Sequence, residues 1–308
     1  MIGIKEIASY VPDERILNFD KCDHYGVTRD FVKNKIGVLK RHIAEENESC
    51  VDMALGAIKS LMSKVDTTID DIECIVFVTQ TPHAEGLPHS SAYLHGKLDL
   101  HSSVACFDVS LGCSGYVYGL NIICGFMNES KFKNGILVTS DPYSKIIDYN
   151  DKNTALLFGD AATATLISDK PRFVITDSVY STDGTGLSSL IKSNGILKMN
   201  GREVFNFVAQ NIPIQVKKLL KDANISIDQV DLFVFHQGSK FIVDTLVKRL
   251  GLDSSKVPIV LENTGNTVSS SIPLALEGYI NSELDLILLS GFGVGLSWGT
   301  LIIKKYKV

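Results

Sequence analysis

One feature constrains the fold more than any other: the chain repeats itself. "DDIECIVFVTQ" at 70 to 80 and "DQVDLFVFHQG" at 228 to 238 share an acidic start, a β-branched strand run and a Gln after it. Each follows an amphipathic stretch, "ESCVDMALGAIKSLMSKV" and "VFNFVAQNIPIQVKKLLKDA", with apolar residues at helical spacing. Both copies continue into a glycine-led helix, "GCSGYVYGLNIICGFM" from Gly112 and "GNTVSSSIPLALEGYI" from Gly265, and then into a strand, "GILVTSDP" and "LDLILLSGF". The offset stays at about 150 to 158 residues throughout, which chance matches do not maintain. The sequence therefore predicts two halves, 1–166 and 167–308, each an α/β unit of alternating helices and strands. Strands that are apolar at every position predict sheets covered on both faces.

A chain of 308 residues with 45% hydrophobic residues and no low-complexity block is long enough to build such a pair of cores. The formal net charge of -5 argues against a general nucleic-acid binder, which needs a basic surface to neutralise phosphates. "MIGIKEIASYVPDERILN" lacks a basic segment followed by a long apolar one, so a secretory leader is not expected. The longest apolar runs, such as "LDLILLSGFGVGLSWG", are broken well short of the roughly 20 residues a spanning helix needs. The expected setting is the cytoplasm, away from membranes. Cysteines at 22, 50, 74, 106, 113 and 124 form no C-x-x-C pair and no Cys/His zinc spacing, so no metal is expected and most should be buried thiols.

A duplication brings matching positions together about a pseudo-twofold axis, and side chains that differ between the copies mark a shared site. Cys113 follows the leading glycine of one helix and Asn266 that of the other. His236 ends a strand where the first copy has Thr79. A cysteine at a helix start meets unpaired N–H groups and the positive end of the helix dipole, which favour thiolate over thiol. Gly112, Ser114 and Gly115 leave backbone room for a substrate, and the cysteine N–H is placed to serve an oxyanion. Taken singly, each residue has an ordinary explanation: Cys113 as core filler, His236 as a satisfied structural histidine, Asn266 as a turn residue. The glycine-rich "SGFGVGLSWG" at 290 to 299 is either a tight sheet connection or a bend that brings a main-chain N–H to the sulfur. It is no phosphate loop, since G-x-x-x-x-G-K is absent. "FGDAATATLIS" at 158 to 168 reads as close-packed structure.

Taken together, G-C-S-G, H-Q-G-S, G-N-T-V-S-S-S-I-P-L-A-L and G-F-G-V-G-L-S-W-G resemble the thiolase superfamily, and within it the β-ketoacyl-acyl-carrier-protein synthase III enzymes. The likeness runs from "GVLKRHIAEENES" at 37 to 49, through "MNGREVFNFV" at 199 to 208, to the last strand. It implies a duplicated five-layer αβαβα sandwich. It implies that Cys113 is the acylated nucleophile, that the backbone N–H groups of Cys113 and Val294 form an oxyanion hole, and that His236 and Asn266 hydrogen-bond the second substrate's thioester carbonyl. The implied reaction is a decarboxylative condensation of an acyl thioester with malonyl-acyl-carrier-protein. A second reading keeps the same acyl-cysteine but makes an ester, amide or quinolone-like product in a specialised pathway. A Cys-His-Glu condensing site would need a glutamate near the sulfur, and Glu85 sits on a loop that looks unrelated to that role.

The resemblance also implies substrate contacts at Phe31, Lys35, Leu87, Lys152, Phe205 and Phe292, CoA or carrier-protein thioesters as substrates, no further cofactor, and a homodimer. Where relatives use Trp and Arg around CoA, this chain has Phe31, Lys35, Lys152 and Phe241. Lysine does not reproduce a planar bidentate Arg contact, so the expected donor is carried on a protein or is a differently held CoA. Leu87 stands where the family places a residue of the partner subunit, often Phe, at the floor of the acyl pocket. Lys248 and Arg249 end the stretch "SKFIVDTLVKRLG" and align with basic residues that meet the acidic carrier, although such a pair is equally a solvated helix end.

Overall fold

The computed structural model describes residues 1–307. Nine strands form the main sheet: β1 (Gly3–Tyr10), β2 (Cys74–Val78), β3 (Ala105–Val109), β4 (Asn134–Ser140), β5 (Ala162–Ser168), β6 (Phe173–Thr182), β7 (Leu232–Phe235), β8 (Leu286–Gly293) and β9 (Ser297–Lys305). Six helices matter for the architecture: α1 (Cys50–Met62), α2 (Ser90–Lys97), α3 (Gly115–Ser130), α4 (Gly201–Asp222), α5 (Lys240–Leu250) and α6 (Ser271–Glu277).

The strand order is β7-β8-β9-β6-β1-β5-β4-β2-β3. β2 is parallel to both β3 and β4, and β7 is parallel to β8; the remaining ladders are antiparallel. One pair of residues, Ile4 and Phe173, joins β1 to β6, so the ladder divides into two sheets at that bridge. The order within them repeats: β2, β4, β5 and β1 correspond to β7, β8, β9 and β6. α1 answers to α4, α2 to α5 and α3 to α6.

Helix contacts turn the two sheets into layers. α1 packs on β1, β4 and β5, outside the first sheet; α4 packs on β6, β8 and β9, outside the second. α3 touches β2 and β4 on one side and β8 and β9 on the other, while α6 touches β1, β5, β7 and β8. The sequence is thus helix, sheet, helix, sheet, helix, the thiolase architecture. Three apolar cores fill the spaces between these layers. α1 is amphipathic because only one face meets a sheet: Val51, Ala54, Ile58 and Leu61 are buried at helical spacing. Its start is fixed by a reciprocal cap, in which Ser49 Oγ accepts from the Asp52 N–H at 3.3 Å and Asp52 Oδ2 accepts from the Ser49 N–H at 2.9 Å.

Three sequence expectations need correction. The division between 166 and 167 falls inside β5, because the strand that closes the first sheet crosses it. The second glycine-led helix starts six residues after Gly265: a single 3-10 turn, Val268–Ser270, intervenes before α6. Its serines are committed elsewhere, Ser269 Oγ to Asp141 Oδ2 at 2.5 Å and Ser270 Oγ to the Ala161 carbonyl at 3.0 Å, which holds the turn apart from the helix. Finally, among the described residues the second half has no strand answering to β3, although the duplication predicts one.

Candidate active site

The loop between β3 and α3 carries Cys113. The Gly115 N–H donates to the Gly112 carbonyl at 2.7 Å, closing a tight turn, and Ser114 occupies the helix N-cap. Cys113 therefore lies two residues ahead of the first helical residue. β8, from the other half, passes directly against this turn. A Cβ on Gly291 would lie 2.8 Å from the Cys113 carbonyl oxygen, and one on Gly293 would lie 2.9 Å from Cys113 Sγ. Only glycine fits at either place, which explains the composition of "SGFG".

The sulfur is almost completely buried, at 4% exposure. Burial, with the negative charge of Asp141 second, pushes the Cys113 thiol up to about 12. The N–H groups of Cys113 and Val294 face the sulfur and act in the opposite direction. The sequence argument for a helix-stabilised thiolate is thus corrected: desolvation outweighs the helix end, and the resting group is a thiol. The argument for a main-chain N–H from the glycine-rich bend holds, and that N–H belongs to Val294.

His236 follows β7 and is 3% exposed. Its Nδ1 is 2.7 Å from Ser271 Oγ. That oxygen also accepts the Gln237 N–H at 3.4 Å; in the tautomer where the hydroxyl donates to Nδ1, the ring proton sits on Nε2. Burial lowers the histidine pKa to about 3, so the ring is neutral at neutral pH. Phe292 meets it edge to face, with ring centroids 5.4 Å apart. Asn266 is anchored by its backbone: its N–H donates to the Leu157 carbonyl at 2.9 Å and its carbonyl accepts from the Gly159 N–H at 3.1 Å. Its side-chain Oδ1 accepts from the Val268 N–H at 3.0 Å, leaving the Nδ2 amide as a donor.

All three residues line a single cavity of about 440 Å³. Phe31, Lys35, Lys152, Phe205 and Phe292 line it too. Leu87, Lys248 and Arg249 do not: Leu87 is 87% exposed on a loop of its own, and the two basic residues lie exposed in the last turn of α5. Glu85, on the same loop as Leu87, is also outside this cavity. Sequence reasoning missed Tyr143, Phe158 and Leu190 on the walls, and Ser271 behind His236. Tyr143 follows the end of β4, and strand-end position was the signal available for it.

A buried thiol under two main-chain donors shares one cavity with an imidazole and a carboxamide, so groups able to hydrogen-bond carbonyl oxygens gather around a single sulfur. Comparison with known proteins decides the family. The model for 3-oxoacyl-(acyl-carrier-protein) synthase III matches residues 107–184, and the model for its C-terminal part matches residues 220–305. The β-ketoacyl-acyl-carrier-protein synthase III of Porphyra purpurea is 32% identical over 98% of this chain and 99% of its own. The chain belongs to the β-ketoacyl-acyl-carrier-protein synthase III family.

Solved structures agree. The synthase III of Aquifex aeolicus superposes with a TM-score of 0.92 at 27% identity, covering 99% of this chain and 100% of that one. A priming β-ketosynthase of a polyketide biosynthetic pathway has a TM-score of 0.88 at 26% identity, covering 99% and 96%. Phe31 and Phe241, both partly open to solvent, mark the mouth of the cavity. Phe205 and Phe241 stack with centroids 4.9 Å apart and planes 20° from parallel, and Lys35 Nζ lies 4.3 Å above the Phe241 ring. Lys35 and Lys152 are the basic residues lining the cavity. Among the described residues, no group of three or more His, Cys, Asp or Glu is placed to hold a metal ion.

Proposed function

We propose that the protein joins an acyl group to a malonyl unit, in two stages at one cavity. First, Cys113 attacks the donor thioester. The new bond forms between Sγ and the acyl carbon, the donor's C–S bond breaks, and the thiol proton leaves with the departing sulfur. With the thiol raised to about 12 and His236 lowered to about 3, a standing thiolate-imidazolium pair is disfavoured, so the proton moves during the attack. The carbonyl oxygen becomes negative beside the N–H groups of Cys113 and Val294.

Second, a malonyl thioester places its carbonyl oxygen between His236 Nε2 and Asn266 Nδ2. Loss of carbon dioxide leaves the bonding pair as an enolate, whose oxygen those two donors stabilise. The enolate carbon attacks the acyl-cysteine, the Cys113 sulfur leaves and takes up one proton, and a 3-oxoacyl thioester departs. The observation that carries this reading is the convergence of Cys113, His236 and Asn266, each buried and together drawn from both halves of the chain, on one cavity.

The donor is an acyl-carrier-protein thioester or a CoA thioester held otherwise than by planar Arg contacts, with the protein-borne donor favoured. Supporting this, the cavity lining offers Lys35 and Lys152 but no Arg for a nucleotide's phosphates. Tight priming by acetyl-CoA in pure protein is the result that would overturn it. Lys248 and Arg249 are the docking residues for the acidic carrier. No cofactor beyond the thioesters takes part. The chain works as a homodimer in the cytoplasm; the exposed Leu87 and the half-buried outer edge of β3 support pairing of two copies, and six unpaired cysteines support a reducing setting.

Intact-mass spectrometry with acyl-carrier and acyl-CoA donors, followed by malonyl-acyl-carrier-protein and measurement of released carbon dioxide, tests the reading. Cys113→Ala should take up no acyl group. His236→Ala and Asn266→Ala should still be acylated but lose condensation by about 10²- to 10³-fold each. Acyl-Cys113 that forms without any subsequent carbon dioxide release would point instead to transfer onto an alcohol or amine.

A further inference from the structure

Ser114 is the N-cap of α3, and a serine there ordinarily turns its oxygen onto the N–H groups of the first helical turn. This one makes no such bond. Its Oγ instead lies 2.7 Å from Ser297 Oγ, 183 positions along the chain and in the other half. Both residues are buried, at 1% and 4% exposure. Ser297 opens β9, and its hydroxyl also bonds the Val294 carbonyl at 3.0 Å. A hydroxyl carries one proton, and a carbonyl only accepts. The two bonds therefore coexist in one arrangement: Ser114 donates to Ser297, and Ser297 donates to Val294.

Val294 stands in the turn between β8 and β9, just after Gly293, which pairs with Ser297 where the two strands meet. Its N–H faces the Cys113 sulfur, and β8 passes so close there that a Cβ on Gly293 would lie 2.9 Å from Sγ. Asp183 grips the far end of the turn: its N–H donates to the Leu296 carbonyl at 2.8 Å, and the Leu296 N–H donates to the Asp183 carbonyl at 3.1 Å. Between these two ends Gly295 is exposed. Among the described residues, the Val294 carbonyl takes its hydrogen bond from Ser297 alone. At the other end of the hydroxyl chain, Ser114 adjoins Cys113, whose own N–H is the second donor at the sulfur. Two hydroxyls thus tie together the two segments that bear the donors, across the boundary between the halves.

We infer that Ser114 and Ser297 are positioning residues for the oxyanion hole, their linked hydroxyls holding the Val294 N–H in register with the Cys113 N–H over the place where the acyl carbonyl oxygen turns negative. The inference rests on the proposed acyl-cysteine and adds to it the residues that set the spacing of its donors. Spacing matters because such donors act only when they lie within about 2.7 to 3.1 Å of the oxyanion.

The test compares two reactions at one sulfur. Acyl transfer passes through an oxyanion; alkylation by iodoacetamide, in which the sulfur displaces iodide from a saturated carbon, does not. The parent protein is offered acetyl, butyryl and octanoyl thioesters of the carrier protein and of CoA, and the donor it takes up fastest is used for the variants, with the mass on the Cys113 peptide followed in time. Ser297→Ala should slow acylation about 10- to 100-fold, less than the 10²- to 10³-fold of a donor removed outright, and leave alkylation unchanged. Ser114→Ala should slow acylation about two- to tenfold, the worth of one neutral hydrogen bond, again with alkylation unchanged. Because both serines act through the Val294 carbonyl, the double variant should be no slower than Ser297→Ala. Condensation should fall with acylation in each, since the enolate's attack on acyl-Cys113 raises the same oxyanion, whereas His236→Ala and Asn266→Ala spare acylation. A variant whose site is merely loosened slows both reactions of the sulfur together and leaves their ratio alone; should Ser297→Ala fail to fold, the ratio in Ser114→Ala decides. An unchanged ratio of acylation to alkylation in the folded variants, or losses that multiply in the double variant, overturns the assignment of the two serines while leaving the acyl-cysteine intact. A parent protein that is alkylated at Cys113 yet takes an acyl group from none of the donors sinks the proposed function, and this inference with it.

Discussion

Ser271 shows how far the chemistry depends on residues that touch no substrate. Its hydroxyl lies 2.7 Å from His236 Nδ1; where it donates to that nitrogen the ring proton sits on Nε2, the position the proposed carbonyl contact requires. In Ser271→Ala the ring loses that partner, and an unmet buried hydrogen bond costs about 1 to 3 kcal/mol. Condensation should fall roughly 10- to 100-fold, acylation of Cys113 should persist, and Ser271→Thr should restore the lost turnover; single-turnover measurement of each stage checks this. The same burial makes His236 a determinant of acid stability. Its pKa lies at about 3 in the folded protein against 6.5 ordinarily, so between those values the unfolded chain binds the proton first. The stabilisation is complete above pH 6.5 and drains away as pH falls toward 3. His236→Gln, which does not titrate, should therefore lose less stability than the parent between pH 7 and pH 5 in urea unfolding. Cys113, His236 and Asn266 were legible in the sequence only together, through their matching places in the two copies and the motifs G-C-S-G, H-Q-G-S and G-N-T-V-S-S-S that carry the family resemblance. Tyr143 and Ser271 were not, since a tyrosine after a strand and a serine among serines break no pattern, and their partners Gln80 and His236 lie 63 and 35 positions away.

Among the elements, β8 is the one on which the site turns. It is buried along its whole length, and its glycines allow the chain of one half to lie against the nucleophile of the other. Gly293→Ala would set a methyl group 2.9 Å from the sulfur. Overpacking of this kind costs about 1 to 3 kcal/mol and here falls where the acyl carbon must bind. The variant should fold with a modestly lowered denaturation midpoint, yet take up acyl groups at least about tenfold more slowly, as stopped-flow mass measurement would show. The order of strands and helices was readable because each element has one dominant period. The delayed start of α6 was not, because serines that bond to Asp141 and to a distant carbonyl look like ordinary helix-opening residues in one dimension. The missing counterpart of β3 was hidden for a similar reason: the segment after α5 keeps its apolar residues but uses Gln237 to satisfy its backbone, with Val260 N–H donating to Oε1 at 3.1 Å and Nε2 donating to the Phe235 carbonyl at 2.8 Å.

Across the whole molecule, the halves have specialised. The first carries Cys113; the second carries His236, Asn266 and Val294, whose N–H faces the sulfur. Lys248 and Arg249 stand at the surface of the second half, away from the chamber. Reversing both charges, Lys248→Glu with Arg249→Glu, should raise KM for malonyl-acyl-carrier-protein about tenfold or more at low salt and leave kcat for a small malonyl thioester unchanged, with the difference shrinking as salt is added. Steady-state assays with both substrates separate the two quantities.

The absent strand has an effect on assembly. On the side of β7, two carbonyls are met by the chain's own side chains: Gln237 Nε2 donates to the Phe235 carbonyl, and Lys256 Nζ donates at 2.8 Å to that of Val230, just ahead of the strand. β3 forms the opposite flank of the sheet and is half-buried along its length. Growth through strand addition requires two free flanks, one to receive and one to offer. In the proposed homodimer, pairing through β3 would bury that flank in both copies at once and leave neither with it to offer to a third.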